Sequence, residues 1–374
     1  MVSDHQSPQR IARLAPLPDV FAWIDANVHA VPPSDVSRED AIGRILAKDI
    51  AASHAMPPKS IALRDGFALQ SEATSDASSY APAALPQVPV RVDAGDALPS
   101  DTDCVAALEQ IAIKGDRAEA LCVMAPGEGI LPAGGDAGAN QALLRGGRKL
   151  RAHDAAILRI ANVSSVSVRA PRIRIVQAGP VDDTIVASAA AMIAAAIVAD
   201  GGTAMDGVNG SLESALQNKD ADAIVAIGGT GAGKNDASVT TLSRRGSVAF
   251  HGIGLNPGET AAIGVAGGKP VLLVPGRIDA ALACWLALGR KILARLTGGG
   301  VENVTTPLKL IRKITSTIGI ADVILLTSRG GQAEPFARGY WPMQAMTRAD
   351  SYLIVPPESE GFAAGATVNA SPLP

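Results

Sequence analysis

Aromatic residues are scarce: five Phe, three Trp and three Tyr make up 3% of the 374 residues. A surface that stacks the bases of single-stranded nucleic acid needs such rings, and this chain has few to offer. An excess of one charge is missing too. Thirty-three Lys and Arg stand against 36 Asp and Glu, and the net charge of −3 leaves no basic footprint for DNA or RNA, so no nucleic-acid partner is expected. Only three cysteines occur, Cys104, Cys122 and Cys284, far apart and without a C-x-x-C pair. That spacing disfavours a disulfide framework or a zinc site and predicts a reducing, cytoplasmic setting. The histidines (His5, His29, His54, His153, His251) have no metal-ligand spacing. A Gly-x-Ser-x-Gly elbow is absent, so a hydrolase triad finds no support. The apolar stretch Thr184 to Ala199, "TIVASAAAMIAAAIVA", is too short and too alanine-rich to span a membrane comfortably and is read as a buried helix. Met1 to Arg13 is polar and predicts no signal peptide or membrane partner.

What is present is apolar and small. Hydrophobic residues reach 47% and charged ones 18%, the balance of well-buried globular domains, and 374 residues predict two to four of them. Val20 to Ile24 opens a helical pattern, and Ser37 to Asp40 resembles a capping box ahead of a second helix over Ala41 to Leu46. Short β-like runs such as Val88 to Val92 and Ala120 to Val123 alternate with Gly, Pro, Asp and Ser clusters, as in a small β domain. Leu143 to Ile160 reads as helix and Val163 to Val168 as strand. From residue 171 strands and helices alternate: Arg172 to Ala178, the Ala-rich helix, Gly201 to Met205, Ser211 to Asn218, Asp222 to Ile227, Gly268 to Gly276, and a helix over Asp279 to Leu296. Such alternation predicts an α/β, doubly wound parallel sheet that binds ligands beyond its carboxyl ends, where Gly179, Gly228–Gly229 and Pro275–Gly276 fall. The tail returns to a β pattern at Asp322 to Leu326 and Ser351 to Val355. The expected organisation is a discontinuous linker domain (1–50 and 137–169), a small β domain (51–136), the α/β domain (170–300) and a C-terminal β domain (301–374).

One stretch concentrates the chemistry. "DAIVAIGGTGAGKND", Asp222 to Asp236, reads G-x-x-x-x-G-K from Gly228, one residue short of a nucleotide-binding P-loop, because Asn235 stands where Ser or Thr would hold magnesium. No strand ending in Asp offers a Walker B partner. Three readings remain: a P-loop, a structural glycine turn, and another phosphate-type ligand loop. Glycines after a buried strand let backbone N–H groups converge on an anion, and the next helix adds the positive end of its dipole. Arg277, after Pro275 and Gly276 at a strand end, is a candidate anion fork or a salt-bridge partner. His251 and Lys234 are weaker candidates, the one structural and the other solvent-exposed. Asp236 is read either as a site residue or as a helix N-cap.

"IGGTGAGKND" resembles the Gly-Gly-Thr-Gly-x-x-x-x-Asp loop of the molybdopterin-binding domain shared by the MogA-like and MoeA/gephyrin families. The rest follows the MoeA order. "LRDGFAL" (Leu63 to Leu69) resembles S-A-M-D-G-Y-A, and Val90 to Glu109 resembles V-R-I-x-T-G-A-P-L-P-x-G-A-D-A-V-V-x-x-E. "GEGILPAGGD" (Gly127 to Asp136) is similar to G-E-N-I-R-x-x-G-E-D. "LNPGETAAIG" and "GGKPVLLVPGRIDAALACW" resemble K-P-G-K-P-x-x-x-G and G-x-P-V-x-G-L-P-G-N-P-V-S-A, and "IRKITSTIGIADVILL" and "MTRADSYLIVPPESEGFAAG" resemble the C-terminal β domain. The similarity runs through about the whole chain in one order.

The resemblance implies an elongated four-part homodimer that inserts molybdate into adenylylated molybdopterin with magnesium (Mg2+) and releases AMP. Its partners would be the pterin ligand and a molybdoenzyme or other cofactor-biosynthesis proteins. Carried over residue by residue, it implies pterin contacts at Gly228, Gly229, Thr230, Gly231, Pro275 and Gly276, beside the anion-binding candidate Arg277, catalytic roles for Asp236, Asp136 and Asp65, and metal ligation by Asp236, Asp136 and Glu109. The departures lie at the expected charge centre. The acidic pair of S-T-G-D-E falls on Pro180 and Val181, with Asp182 and Asp183 just beyond. The lysines of K-P-G-K fall on Asn256 and Glu259, the Thr of T-G-A on Ala94, the Asn of P-G-N-P on Arg277, and an acidic position near Asn209–Gly210 is lost. Two expectations follow: a molybdate insertase, in which Asp182, Asp183 and Arg277 substitute, or a catalytically impaired paralogue that binds, carries or senses molybdopterin. An unrelated nucleotide-binding α/β protein is the third.

Overall fold

Continuous burial along the apolar strands sets up the central sheet. In a computed structural model, which describes residues 9–178, 183–205, 211–299, 305–336 and 338–374, six strands run in the order Thr203–Met205, Arg172–Gln177, Ala223–Ile227, Lys269–Val274, Ala262–Ala266, Ser247–His251. The first four are mutually parallel, and Ala262–Ala266 pairs antiparallel with both of its neighbours. The expected parallel sheet is therefore extended at one edge by a hairpin through Gly267 and Gly268, whose positive φ angles of 55° and 78° suit a two-residue turn. Ile173, Ile175, Val225, Ile227, Leu272 and Val274 face one side, packed with the helices Leu17–Asn27 and Thr184–Ala199 and the helical stretch from Ile278 to Leu296. Their neighbours Val176, Ile224, Ala226, Val271 and Leu273 face the other, against Leu212–Gln217 and Ser238–Arg245. Burial on both faces explains why these strands read as continuous apolar runs.

The Ala-rich stretch is a helix of this sheet. Asp183 caps it by accepting from Ile185 N (2.9 Å) and Val186 N (3.2 Å), and Val186, Ala189, Ala190, Ile193, Ala196 and Ile197 bury one face. Among the described residues, no helix is long and apolar enough to cross a membrane.

A second sheet closes on itself. Ala321–Arg329, Gln332–Pro335, Thr306–Leu310, Thr367–Pro372 and Ser351–Val355 pair in turn, and the last pairs back with the first. Closure removes the open edges, and Leu310, Ile324, Leu326, Ala333, Val355 and Ala370 fill the interior. The short strand Leu255–Asn256 joins it in parallel with Ala321 and Asp322.

The chain divides into two compact units, Met1–Lys48 with Gly146–Ala156 and Ser164–Pro374, and Asp49–Arg145 with Ile157–Val163. Both sheets above belong to the first. The second is built of short antiparallel pairings, centred on Gly66–Leu69 between Val90–Val92 and Cys104–Ala107. A Cβ on Gly66 would stand 2.0 Å from Ala106 O, so strand packing requires the glycine of "LRDGFAL".

Two local expectations fail for identifiable reasons. Ser37 and Asp40 do bond reciprocally (Ser37 Oγ to Asp40 Oδ2 2.7 Å, Asp40 N to Ser37 Oγ 3.0 Å), yet they close a turn. Gly43, at φ 83°, ends it, and Ile45–Leu46 leave to pair with Val168 and Arg169. Leu143 to Ile160 is broken the same way: a strand Ala142–Leu144, Gly147 at φ 83°, then a helix Ala152–Ile160.

Cys104 and Cys284 are fully buried while Cys122 is half-buried, and burial is the largest of the influences that push the Cys104 thiol up to about 12. A thiol reagent at neutral pH should therefore label Cys122 first, with the other two reacting only on denaturation; prompt labelling of all three would contradict this packing.

Candidate functional site

The carboxyl edge of the parallel strands gathers two glycine loops. Strand Ala223–Ile227 runs into Gly228 and Gly229, whose φ angles of 97° and 69° favour glycine. Strand Lys269–Val274 runs into Pro275 and Gly276. Gly228 N donates to Val274 O at 2.9 Å, and a Cβ on Gly276 would stand 3.5 Å from Gly228 Cα, so the two loops lie against each other. Gly179, Pro180, Val181, Asp182, Asn209 and Gly210 lie outside the described residues.

Each carbonyl from Gly228 to Gly231 has a partner from outside the loop. Gly228 O accepts from Ser238 Oγ at 2.8 Å, and Gly229 O from Ser238 N at 3.0 Å. His251 Nε2 lies 3.0 Å from Thr230 O and donates to it in the tautomer this bond selects. Gln9 Nε2 donates to both Gly229 O and Gly231 O at 3.0 Å. By contrast, the N–H groups of Gly229, Thr230, Gly231 and Ala232 find no acceptor among the described residues. The negative ends of these peptide dipoles are satisfied by protein while the positive ends stay open, the condition under which a backbone loop receives an anion. The helix Ser238–Arg245 adds the positive end of its dipole.

Asp236 is not the N-cap of that helix; Ala237 holds that position, with no side-chain cap bond. Instead its Oδ2 accepts from Gly233 N at 2.9 Å. A Cβ on Gly231 or Gly233 would come within 2.9 or 3.0 Å of the same oxygen, so both glycines make room for the carboxylate. Thr230 is buried with its Oγ1 3.0 Å from Thr260 Oγ1, and Lys234 is exposed.

Beyond the second loop, charge is internally committed. Arg277 forks onto Asp279 (Nε–Oδ1 3.1 Å, Nη2–Oδ2 2.6 Å) and lies over the Tyr340 ring at 5.4 Å. Asp279 is buried and also accepts from Trp341 N at 3.1 Å. Burial pushes its pKa upward, but the Arg277 hydrogen bonds and the Trp341 N–H outweigh this and hold it below the ordinary carboxylate range. Asn256 Nδ2 donates to the fully buried Asp322, which also takes Ser316 Oγ and Arg338 Nε (2.6 Å). Glu259 Oε2 accepts from Gly258 N at 2.9 Å. Asp183, expected as a substitute acid, is the helix cap described above.

Asp65, Glu109 and Asp136 belong to the second unit, and all three are exposed. Asp65 Oδ1 accepts from Ala94 N at 2.8 Å, and Glu109 lies in a 3-10 turn just past the strand that pairs with Gly66. Among the described residues, no group of three or more His, Cys, Asp and Glu stands close enough to hold a metal ion. Gln9, Ser238 and Thr260 were not anticipated from the sequence. Only Ser238 had a local signal, its place two residues past the motif's aspartate.

Comparison with known proteins agrees with this architecture. Residues 12–161 match the MoeA N-terminal region (domain I and II), and residues 178–295 match a domain described as "Probable molybdopterin binding domain". A Methanocaldococcus jannaschii protein named for molybdopterin biosynthesis is 23% identical over 90% of this chain and 91% of its own length. The crystal structure of the molybdopterin biosynthesis moeA protein from Pyrococcus horikoshii OT3 superposes with a TM-score of 0.79 at 22% identity, over 96% of this chain and all of that one. A molybdenum cofactor biosynthesis protein from Pyrococcus furiosus gives 0.59 at 19%, over 96% of this chain and all of that one. The fold and loop thus define a multidomain α/β protein that offers open backbone donors to an anionic ligand. The chain is a divergent member of the MoeA-type family, which assigns it to molybdenum cofactor biosynthesis with an α/β domain of molybdopterin-binding type.

A Gly229→Ala substitution would force a Cβ within 2.5 Å of Ser238 Oγ at a positive φ, and it should weaken ligand binding at the loop at least tenfold, read by titration calorimetry, while the far-ultraviolet circular dichroism is kept. The Asp279 carboxylate has a lowered folded pKa, so its stabilising contribution is full above the unfolded value of about 3.8 and is lost as pH falls through the folded one. Stability against urea should then fall less steeply for Asp279→Asn than for wild type between about pH 5 and pH 2; parallel curves would contradict the assignment.

Proposed function

We propose that the 228–236 loop binds the phosphate-bearing part of adenylylated molybdopterin and that the chain inserts molybdate into it with release of AMP. The observation that carries this reading is the run of four N–H groups, Gly229 to Ala232, that find no acceptor among the described residues, on peptides whose four carbonyls are satisfied. A phosphate takes such donors without a lysine or a magnesium-bound hydroxyl, and this sets the loop apart from the nucleotide motif that it nearly spells. In this reading Pro275 and Gly276 form the facing wall and Arg277 borders the site. One Asp236 oxygen is tied to Gly233 N, and the other would help to hold magnesium, which would offset the charge of the ligand phosphates. Asp136, Asp65 and Glu109 are proposed to serve the same reaction, and the chain is proposed to act as a homodimer.

A second reading has its own support: the chain binds and delivers molybdopterin without turnover. Asn256 and Glu259 stand where the resembling pattern has lysines and are engaged within the protein, and Asp183 is spent as a helix cap. One assay separates the two. Purified protein with adenylylated molybdopterin, molybdate and magnesium should release AMP. Binding without AMP would sink the insertase reading in favour of the carrier, and no binding would sink both. In the same assay Asp236→Ala should slow release at least tenfold, about 1.4 kcal/mol of barrier, and an unchanged rate would reduce Asp236 to a turn-former.

A further inference from the structure

Gln9 lies outside the residues matched by either family region, yet it is the side chain most involved with the loop. Its carboxamide is almost fully buried, with 9% of the residue exposed. All four of its hydrogen-bonding positions have partners: Nε2 donates to Gly229 O and Gly231 O, each at 3.0 Å, and Oε1 accepts from Thr240 N at 2.9 Å and Thr240 Oγ1 at 3.4 Å. The amide cannot be turned over, because that would set oxygen against two carbonyls. The segment that brings it is anchored independently. Ala15 bonds Gly252 O and Gly254 N at 2.9 and 2.8 Å, and Ile11 packs on Gly252, where a Cβ would meet its side chain at 2.3 Å.

The consequence follows from peptide geometry. In a trans peptide the N–H points opposite to the C=O of the same unit. Holding Gly229 O and Gly231 O on one side therefore turns the N–H groups of Thr230 and Ala232 to the other, and these are two of the donors that meet no protein acceptor among the described residues. The same side chain fills Thr240 N in the first turn of Ser238–Arg245, fastening the loop to the helix that follows. We propose that Gln9 is a positioning residue that fixes the orientation of the ligand-loop donors, so that the N-terminal arm sets the affinity of the site without touching the ligand. This inference rests on the reading of 228–236 as the pterin-phosphate loop.

The test uses the full chain with Gln9→Glu and Gln9→Met, neither of which alters a residue in the loop. Glu keeps the acceptor for Thr240 and loses both donors; Met keeps the length and loses everything polar. Adenylylated molybdopterin titrated into wild type should bind, and both variants should bind at least tenfold more weakly, with Glu no better than Met. Amide hydrogen exchange without ligand should be faster over 228–241 in both variants and unchanged over the strand Lys269–Val274, a pattern that global destabilisation would not give. Wild-type binding matched by both variants would overturn the role of Gln9 and leave the proposed function standing. Absence of binding by wild type would overturn the proposed function and this role together.

Discussion

The arrangement of the site depends on one constraint: the four carbonyls from Gly228 to Gly231 must be held by groups other than the ligand. Ser238, Gln9 and His251 supply the bonds, from the following helix, the N-terminal arm and the edge strand. Each is ordinary in strength, about 1 kcal/mol net. Their joint effect is directional, since a flexible glycine loop could otherwise present either end of its peptide dipoles. The two-sided burial of the sheet serves the same end, by fixing Ile227 and Val274, from which the two glycine loops depart.

Much of this was legible in the sequence. The parallel strands announced themselves as apolar runs between glycines, and the ordered motifs marked the 228–236 loop and the β-rich parts. What escaped was non-local. Gln9 meets Gly229 across 220 positions, and no periodicity or spacing signals such a contact. The misread helix at Ala41–Leu46 failed for a related reason. Its cap is real, but Gly43 and the pairing of Ile45 with Arg169 prevail over local propensity. Asp236 was singled out by the motif, while its bond to Gly233 N was not legible. The loop glycines were read as letting N–H groups converge, yet Gly231 and Gly233 also clear space for its carboxylate.

The charged residues near Pro275 to Arg277 follow a different logic from the loop. Asp279 and Asp322 are buried acids, and each is compensated by an arginine and by hydrogen bonds, Arg277 with Trp341 N for one and Arg338 with Ser316 and Asn256 for the other. Removing either arginine would strand a carboxylate in a low-dielectric setting. The cations here are thus bound to structure first. Any ligand oxyanion must compete with a carboxylate for Arg277, whereas the loop donors have no such rival.

The strand Leu255–Asn256 gives this arrangement a mechanical side. Four residues separate His251, which grips Thr230, from Asn256, which is laced into the closed barrel through Asp322. Four residues span at most about 14 Å and here include a hydrogen-bonded turn, so the tether has little slack. The barrel is therefore coupled to the 228–236 loop by a short stretch of backbone as well as by the core that Ala321, Val323 and Leu325 share with Ile227 and Val274.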